Sequence, residues 1–325
     1  MKAILFDQPG GPEVLYAGIF QDPQPQDNEL LVRVRATALN RADLLQRRGH
    51  YPPPKGDSPV LGLEIAGEVI GIGKDTGPWK IGDRVCGLIG GGGYAELAVL
   101  PASVAMPVPE GWSWEMAAAV PEAFMTAWQS LSWLGRLAPG EKVLVHAGAS
   151  GVGTAAIQLA REMGASEIFV TASPGKHALC AKIGATCAID YRSEDFEEVL
   201  ATICPDGIDV IVDCIGAPYF QKNLNALGLD GRLVMLAMMG GASVEQTDLM
   251  LLLRKRLQVM GSTLRNRSLE YKSRLSGDLY RFAWPLFEKG RLRPVVDRIF
   301  PMEEALAAHR YMENNQNQGK IVLSW

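Results

Sequence analysis

The chain has 325 residues, 47% of them hydrophobic by type, which is enough apolar material for two ordinary cores and therefore for two domains. A formal net charge of −4 without any basic block offers no electrostatic footprint for nucleic-acid phosphates or an anionic membrane surface, so neither is expected as a partner. The opening Met1-Lys2-Ala3-Ile4-Leu5-Phe6-Asp7 meets acidic and Pro/Gly positions too soon for a secretion signal, and no apolar run reaches bilayer length, so a cytoplasmic protein is expected.

Short β-like runs at residues 3–6, 29–38, 65–72, 83–88 and 94–99, separated by turn residues, predict a mostly-β first module. Among them, residues 41–48 read as a helix that follows Asn40 and ends at Gly49, and Tyr51-Pro52-Pro53-Pro54 is extended loop. From about Glu115 an Ala-rich helical stretch runs to Trp133. Apolar strands at 142–146, 167–172, 187–190, 208–213, 232–237 and 257–262 then alternate with helix-length segments, the rhythm of a parallel, doubly wound α/β sheet with helices on both faces. Past Leu264 the alternation stops. A helix at 268–289, a strand at 294–296 and a last strand at 320–323 return the chain to its first module. The expected division is 1–119, 120–264 and 265–325, with the sheet domain inserted in the mostly-β one. Cys86, Cys180, Cys187, Cys204 and Cys214 show no CxxC spacing and are expected as free, mostly buried thiols.

The most informative segment runs from Val143-Leu144-Val145-His146 through Ala147-Gly148-Ala149-Ser150-Gly151-Val152-Gly153 to Thr154-Ala155-Ala156-Ile157. A buried strand enters a loop of small residues and leaves it as a helix. Missing side chains at Gly148, Gly151 and Gly153 let the backbone approach a pyrophosphate, and the amides around Ser150 and Val152 at the helix start meet its charge. The dinucleotide is chosen at the tip of the second strand, about twenty residues on, where an NAD enzyme carries an acidic side chain. Here stand Thr171-Ala172-Ser173-Pro174-Gly175-Lys176. A hydroxyl at Ser173 and an ammonium at Lys176 attract the 2′-phosphate that a carboxylate would repel, which favours NADPH. Lys176 is also readable as a solvated lysine at a helix start, and Tyr191 either closes the same phosphate pocket or is a surface aromatic.

Asn40-Arg41-Ala42-Asp43-Leu44, Gly62-Leu63-Glu64-Ile65-Ala66-Gly67, Ala147 to Gly153, Asp213-Cys214-Ile215-Gly216, Met238-Met239-Gly240-Gly241 and Gly319-Lys320-Ile321-Val322-Leu323 together resemble the zinc-free quinone oxidoreductases of the medium-chain dehydrogenase/reductase superfamily. The closest likeness is to their tumour-suppressor-inducible group, and it covers essentially the whole chain. It implies a GroES-like catalytic domain around a Rossmann domain, NADPH as donor, a quinone or enone as small-molecule substrate, and a homodimer or homotetramer. Zinc-dependent relatives place a Cys where this chain has Asn40 and a His where it has Leu63, and neither replacement is a zinc ligand, so no metal is expected.

By the same resemblance Asn40 stands near the nicotinamide ribose or the acceptor oxygen, although it also suits the start of the helix at Arg41. Asp43 either supports that arrangement or is a first-turn acid favoured by the helix dipole. Tyr51 either lines the nicotinamide cleft, where its phenol could orient a quinone oxygen or give a proton, or packs on the neighbouring prolines. Thr126 lies on the helix beneath the nicotinamide, and Ile215, Met238, Gly240, Ser262, Leu264, Arg265 and Asn317 are carried over by position as cofactor contacts.

The expected reaction is metal-free, NADPH-dependent hydride transfer to quinones or similarly electron-poor molecules. The main rival is reduction of a carbon-carbon double bond in an enone or enoyl thioester, and a non-enzymatic NADPH-binding role is the third reading. No nucleophile elbow, Walker loop or paired catalytic carboxylates point elsewhere.

Overall fold

A computed structural model describes all residues, Met1 to Trp325, and the chain divides into two compact units. One comprises Met1–Met125 and Arg265–Trp325, the other Thr126–Leu264. The first segment carries β1 (Lys2–Leu5), β2 (Tyr16–Ile19), β3 (Glu29–Ala38), α1 (Arg41–Arg47), β4 (Glu64–Ile72), β5 (Arg84–Leu88), β6 (Leu97–Pro101), β7 (Met106–Pro107), α2 (Trp114–Ala118) and α3 (Pro121–Trp128). The Ala-rich stretch is therefore not one helix. Pro121 lacks an amide hydrogen and cannot continue α2, but its fixed φ suits the first turn of α3, which ends in a π-helical turn at Gln129–Leu134.

The second unit follows with β8 (Lys142–Val145), α4 (Gly151–Glu162), β9 (Glu167–Ala172), α5 (His177–Ile183), β10 (Cys187–Asp190), α6 (Phe196–Ile203), β11 (Ile208–Asp213), α7 (Ala217–Ala226), β12 (Leu227–Met235), α8 (Met250–Arg254) and β13 (Gln258–Gly261). The strands form one parallel sheet in the order β10-β9-β8-β11-β12-β13. Its core joins Leu144, Phe169, Ile189, Ile211 and Leu233 from the strands to Phe196, Leu200 and Leu224 from the helices. From β8 the chain builds outward to β10 and then crosses back to β11. The switch point therefore lies between β8 and β11, where ligands bind beyond the carboxyl ends of the strands in such sheets.

The returning segment adds α9 (Leu269–Glu288), β14 (Val296–Pro301), α10 (Ala305–Glu313) and β15 (Lys320–Ser324). β15 lies antiparallel to β3, with Val322 opposite Ala38, so the last strand completes a sheet begun by the third. That sheet runs β14-β15-β3-β4-β5-β7, with β6 also paired to β3. Leu30, Val32, Val34, Ile65, Val69, Val85 and Leu100 fill one core, and Leu39, Leu61, Tyr94, Met302, Ile321 and Leu323 a second. Short β2 and helix α10 were not anticipated, and β14 begins at Val296, later in the chain than the expected strand at 294–296. All five cysteines are free thiols, and no helix is long and apolar enough to cross a membrane.

Pairing of β3 with β4 requires a glycine at one place. A Cβ on Gly67 would stand 2.1 Å from the carbonyl oxygen of Arg33 and 2.8 Å from Val32 Cγ1, whereas one on Gly71 would meet Leu31 Cβ at 3.3 Å. Gly67→Ala should cost about 3 kcal/mol, at the top of the usual overpacking range, and Gly71→Ala much less. Urea unfolding midpoints of the two variants check this, and equal midpoints would count against the β3–β4 register.

Candidate cofactor and active site

In the Thr126–Leu264 unit, the loop between β8 and α4 is held in an unusual conformation. Ala147 adopts φ +52°, a left-handed geometry that costs a residue with a Cβ about 1 kcal/mol. It is held there by the Gly148 amide on Thr171 O (3.0 Å) and by the Ser150 amide on Ala147 O (2.8 Å). Ser150 then caps α4, its Oγ accepting the Gly153 amide at 2.9 Å, and the first-turn amides of Gly151 and Val152 keep no intrahelical acceptor. A Cβ on Gly148 would lie 2.7 Å from Val170 Cβ, and one on Gly153 2.4 Å from Ala147 O, so both glycines are required by close packing under the loop. The result is a helix start whose Gly151 and Val152 amides have no acceptor within the helix, which suits a pyrophosphate.

Beneath the loop lies a directional hydrogen-bond chain that joins three strand ends. Asp213 accepts from the Ile215 amide (2.6 Å), the Gly216 amide (3.2 Å) and Asn223 Nδ2 (3.2 Å). Asn223 Oδ1 must then accept from His146 Nε2 (2.7 Å), which leaves His146 Nδ1 to accept from the Thr171 hydroxyl (3.0 Å). Thr171 Oγ1 in turn receives the Ala147 amide at 3.3 Å. Burial pushes the His146 imidazole down to about 4 and the Asp213 carboxyl up to about 6, the latter against the pull of its three donors.

The remaining cofactor candidates of this unit follow the carboxyl ends of the strands. Ser173 opens the short turn that carries Lys176 after β9, and Tyr191 follows β10 with its ring exposed and the Arg192 guanidinium 5.9 Å from the ring centre. Ile215 follows β11. Its carbonyl receives the Gly240 amide at 2.8 Å, which ties it to the exposed Met238 segment beyond β12. Ser262 follows β13 and donates to Gln129 Oε1 (2.9 Å), and Leu264 is buried. Thr126 Oγ1 is a buried polar atom without a hydrogen-bond partner, a state that a bound polar group would relieve.

The other unit gathers its polar residues at the start of α1. Asn40 donates through Nδ2 to Glu64 Oε1 (2.9 Å) and Ala38 O (3.2 Å), and its Oδ1 accepts from Lys320 Nζ (2.7 Å). Both amide hydrogens are spent inside the chain, so Asn40 offers a ligand only a lone pair of Oδ1. Lys320 also donates to Glu64 Oε1 (2.7 Å) and Leu39 O (2.9 Å), which uses all three ammonium hydrogens, and Glu64 Oε2 takes the Glu122 amide (2.8 Å). Asp43 accepts the Asn40 and Gly62 amides at 2.7 and 3.2 Å and the Tyr94 hydroxyl at 3.4 Å. Burial pushes this carboxyl up to about 6 although those amides and Lys320 oppose the rise.

Behind Asp43 stands a second directional chain. Arg47 can only donate, so His309 Nδ1, 2.9 Å from its guanidinium, is an acceptor, and the neutral ring donates through Nε2 to Tyr94 Oη at 3.1 Å. Burial, helped by Arg47, holds His309 down to about 3. Glu313 receives the far side of Arg47.

Tyr51 and Arg265 form one loop clamp. Arg265 donates to Gly90 O (2.6 Å), Gln46 Oε1 (2.8 Å) and Tyr51 O (3.3 Å), and its guanidinium lies 5.3 Å from the Tyr51 ring centre. Its donors are directed at α1 and two loops of its own unit. Asn317 Nδ2 donates to Gly319 O at 2.8 Å, beside the turn that leads into β15. Glu64, Lys320, Glu122, Tyr94, His309 and the His146 chain were not singled out from the sequence for any role. The signal that could have found two of them is a lone charge inside an apolar run, in Gly62-Leu63-Glu64-Ile65-Ala66 and Gly319-Lys320-Ile321-Val322-Leu323.

These donors do not suit zinc. Leu63 is core, Asn40 spends both amide hydrogens within the chain and holds Lys320 on its Oδ1, and the Lys320 ammonium already supplies the cation that Glu64 binds; no group of three His, Cys, Asp or Glu could hold a metal ion. The Gly148–Gly153 loop and the orphaned Thr126 hydroxyl do suit a nicotinamide dinucleotide.

Comparison with known proteins gives the chain its lineage. Residues 26–110 match the alcohol dehydrogenase GroES-like domain, and residues 183–323 match a family described as zinc-binding dehydrogenase. The synaptic vesicle membrane protein VAT-1 homolog of Homo sapiens is 33% identical over 319 residues, 93% of this chain and 80% of that protein. The homolog of Danio rerio is 31% identical over 93% of this chain, which spans 65% of its length. Among solved structures, the Escherichia coli quinone oxidoreductase complexed with NADPH superposes with a TM-score of 0.89 at 31% identity, covering 100% of both chains. The CurK enoyl reductase gives 0.88 at 28% identity, covering 99% of this chain and 98% of that one. The chain thus belongs to the medium-chain dehydrogenase/reductase superfamily, as a quinone-oxidoreductase-like, nicotinamide-dependent oxidoreductase.

Proposed function

We propose that the protein uses NADPH to reduce quinones or similarly electron-poor small molecules, without a metal. The observation that carries this reading is the Lys320 ammonium seated on Glu64, Asn40 and Leu39, with every donor used. No Lewis acid site remains to polarise an alcohol or an unactivated carbonyl, so the acceptor must bring its own electrophilicity. A bound reduced nicotinamide supplies the hydride.

The chain's own residues bind and orient. The Gly151 and Val152 amides face the pyrophosphate, Thr126 gains a partner in the cofactor, and the spare lone pair of Asn40 accepts a ribose hydroxyl. Tyr51, held through its carbonyl by Arg265, orients the acceptor oxygen. Ser173 and Lys176 receive the 2′-phosphate. Reduction of a conjugated carbon-carbon double bond is the second reading, favoured by the likeness to the CurK enoyl reductase. The proposed assembly is a homodimer or homotetramer, and the proposed location is cytoplasmic.

The deciding experiment follows nicotinamide absorbance with NADPH and NADH against a phenanthrenequinone, a benzoquinone, a simple enone and a crotonyl thioester. Quinones turned over fastest with NADPH are expected; turnover of the enone or thioester alone would replace the named reaction. Lys176→Glu should weaken NADPH binding by more than about tenfold, the loss of roughly one charge-assisted contact, and leave NADH binding nearly unchanged. Calorimetric titration measures both, and equal losses would remove Lys176 from the phosphate pocket. Prolonged treatment with a strong chelator should leave turnover unchanged, and inactivation restored by zinc would overturn the metal-free reading.

A further inference from the structure

Hydride transfer to a quinone or an enone leaves an anion that needs a proton, and the polar cluster of the GroES-like unit restricts which group can give it. Glu64 is fully buried, with its oxygens on Lys320, Asn40 and the Glu122 amide. Asp43 is fully buried and holds two amides and the Tyr94 hydroxyl. The Lys320 ammonium has spent its hydrogens, and Lys272 Nζ donates to Arg265 O at 2.6 Å. Glu122 differs from all of these. Its backbone is pinned through its amide to Glu64, while its carboxyl makes no hydrogen bond within the chain and the residue as a whole is half-buried.

We propose, on the basis of the reductase reading above, that Glu122 is the acid that protonates the reduced acceptor. The hydride and its electron pair pass from NADPH to the acceptor, giving NADP⁺ and an acceptor anion. The O–H bond of Glu122 breaks as its proton moves to the anionic oxygen of a quinone, or to the α-carbon of an enone. The Glu122 carboxylate then takes a proton from water.

The charge surroundings support the assignment. Burial first, then the Glu64 carboxylate, push Glu122 up to about 7; Asp43 adds to the rise, and Lys320 and Lys272 oppose it. Tyr51 and Arg265 complete the charged and titratable groups that feel it. Tyr51, the other candidate, moves the wrong way: burial and then Glu122 raise its phenol above the ordinary tyrosine range, so it holds its proton more firmly. A carboxyl that titrates near the working pH is the better acid of the two, and Tyr51 is left to orient the acceptor.

The test compares wild type, Glu122→Gln, Glu122→Asp and Tyr51→Phe in two ways. First, kcat with NADPH and a quinone is followed from about pH 5.5 to 9, a range that brackets the expected acid. Wild type should lose about tenfold per pH unit above roughly pH 7 as Glu122 deprotonates. Glu122→Gln should be slower at pH 6 by about a hundredfold and lack that limb, Glu122→Asp should restore part of both, and Tyr51→Phe should keep the limb. Second, the infrared difference between wild type and Glu122→Gln, with no substrate present, should show a carboxylic-acid carbonyl band that vanishes as the pH passes about 7.

A wild-type protein that turns over acceptors while Glu122→Gln retains the limb would overturn the assignment alone, as would a difference spectrum without a titrating band. A wild-type protein that binds NADPH but reduces no acceptor would overturn the reductase reading and, with it, the role of Glu122.

Discussion

The buried pair of Lys320 and Glu64 is the constraint around which the GroES-like unit is arranged. An isolated carboxylate or ammonium does not survive in such surroundings, because removing either from water costs several kcal/mol. Together they form a bond of 2.7 Å, with the Glu64 side chain wholly and the Lys320 side chain almost wholly withdrawn from solvent. The remaining capacity of both groups is spent on Asn40, Leu39, Ala38 and the Glu122 amide, directly or through one another. One ion pair thereby fixes the second-longest strand of the sheet, the turn before α1, the start of α3 and the C-terminal strand. Deleting one partner would strand the other charge, a loss of about 3 to 5 kcal/mol by comparison with other broken buried pairs.

Two neutral histidines perform a related task through direction instead of charge. In one unit Arg47 dictates the tautomer of His309 and so the orientation of Tyr94 toward Asp43; in the other Asn223, oriented by Asp213, dictates that of His146 and so the hydroxyl of Thr171 beneath Ala147. Both chains end on backbone amides that shape the candidate site. Arg47 cannot give up a proton at any ordinary pH, so the first chain is an array of fixed dipoles and not a conduit. The depressed histidines and the raised carboxyls near them affect stability in opposite senses. His146 and His309 are depressed in the fold, so their contribution is present above the unfolded histidine value near 6.5 and is lost as pH falls toward about 4 and about 3. Asp43, Asp213 and Glu122 are raised, so theirs is present below the ordinary carboxyl range and is lost as pH rises through about 6 to 7.

What could be read in the sequence and what could not divides by distance along the chain. The parallel sheet was legible because each βα unit carries its own apolar strand and its own turn, and the glycine loop because strand, loop and helix are contiguous. The short β2, with most of its residues exposed, has no alternation to betray it, and α10 is hidden by the polar residues of its outer face. The Ala-rich helical stretch expected from Glu115 to Trp133 is helical but divided at one residue, Pro121, whose backbone chemistry outweighs the alanines around it. Asn40 was legible as a residue standing where relatives place a ligand. That its side-chain oxygen already accepts from an ammonium could not be known, because Lys320 is 280 residues away in sequence.

The same separation explains how the scaffold can belong to a lineage that includes zinc enzymes and still suit metal-free chemistry. A metal in such a site would do two things: neutralise a buried carboxylate set and polarise a substrate oxygen. Lys320 does the first completely, since an ammonium with three acceptors at 2.7 to 2.9 Å satisfies Glu64 and fixes Asn40. It cannot do the second, because a saturated ammonium has no vacant position and no hydrogen left to offer. The proposed reaction then needs an acceptor already activated by conjugation and a proton source that is not tied into the cluster. The cluster supplies the latter by holding the Glu122 amide and leaving its carboxyl free, so the residue that neutralises Glu64 also shapes the chemistry next to it.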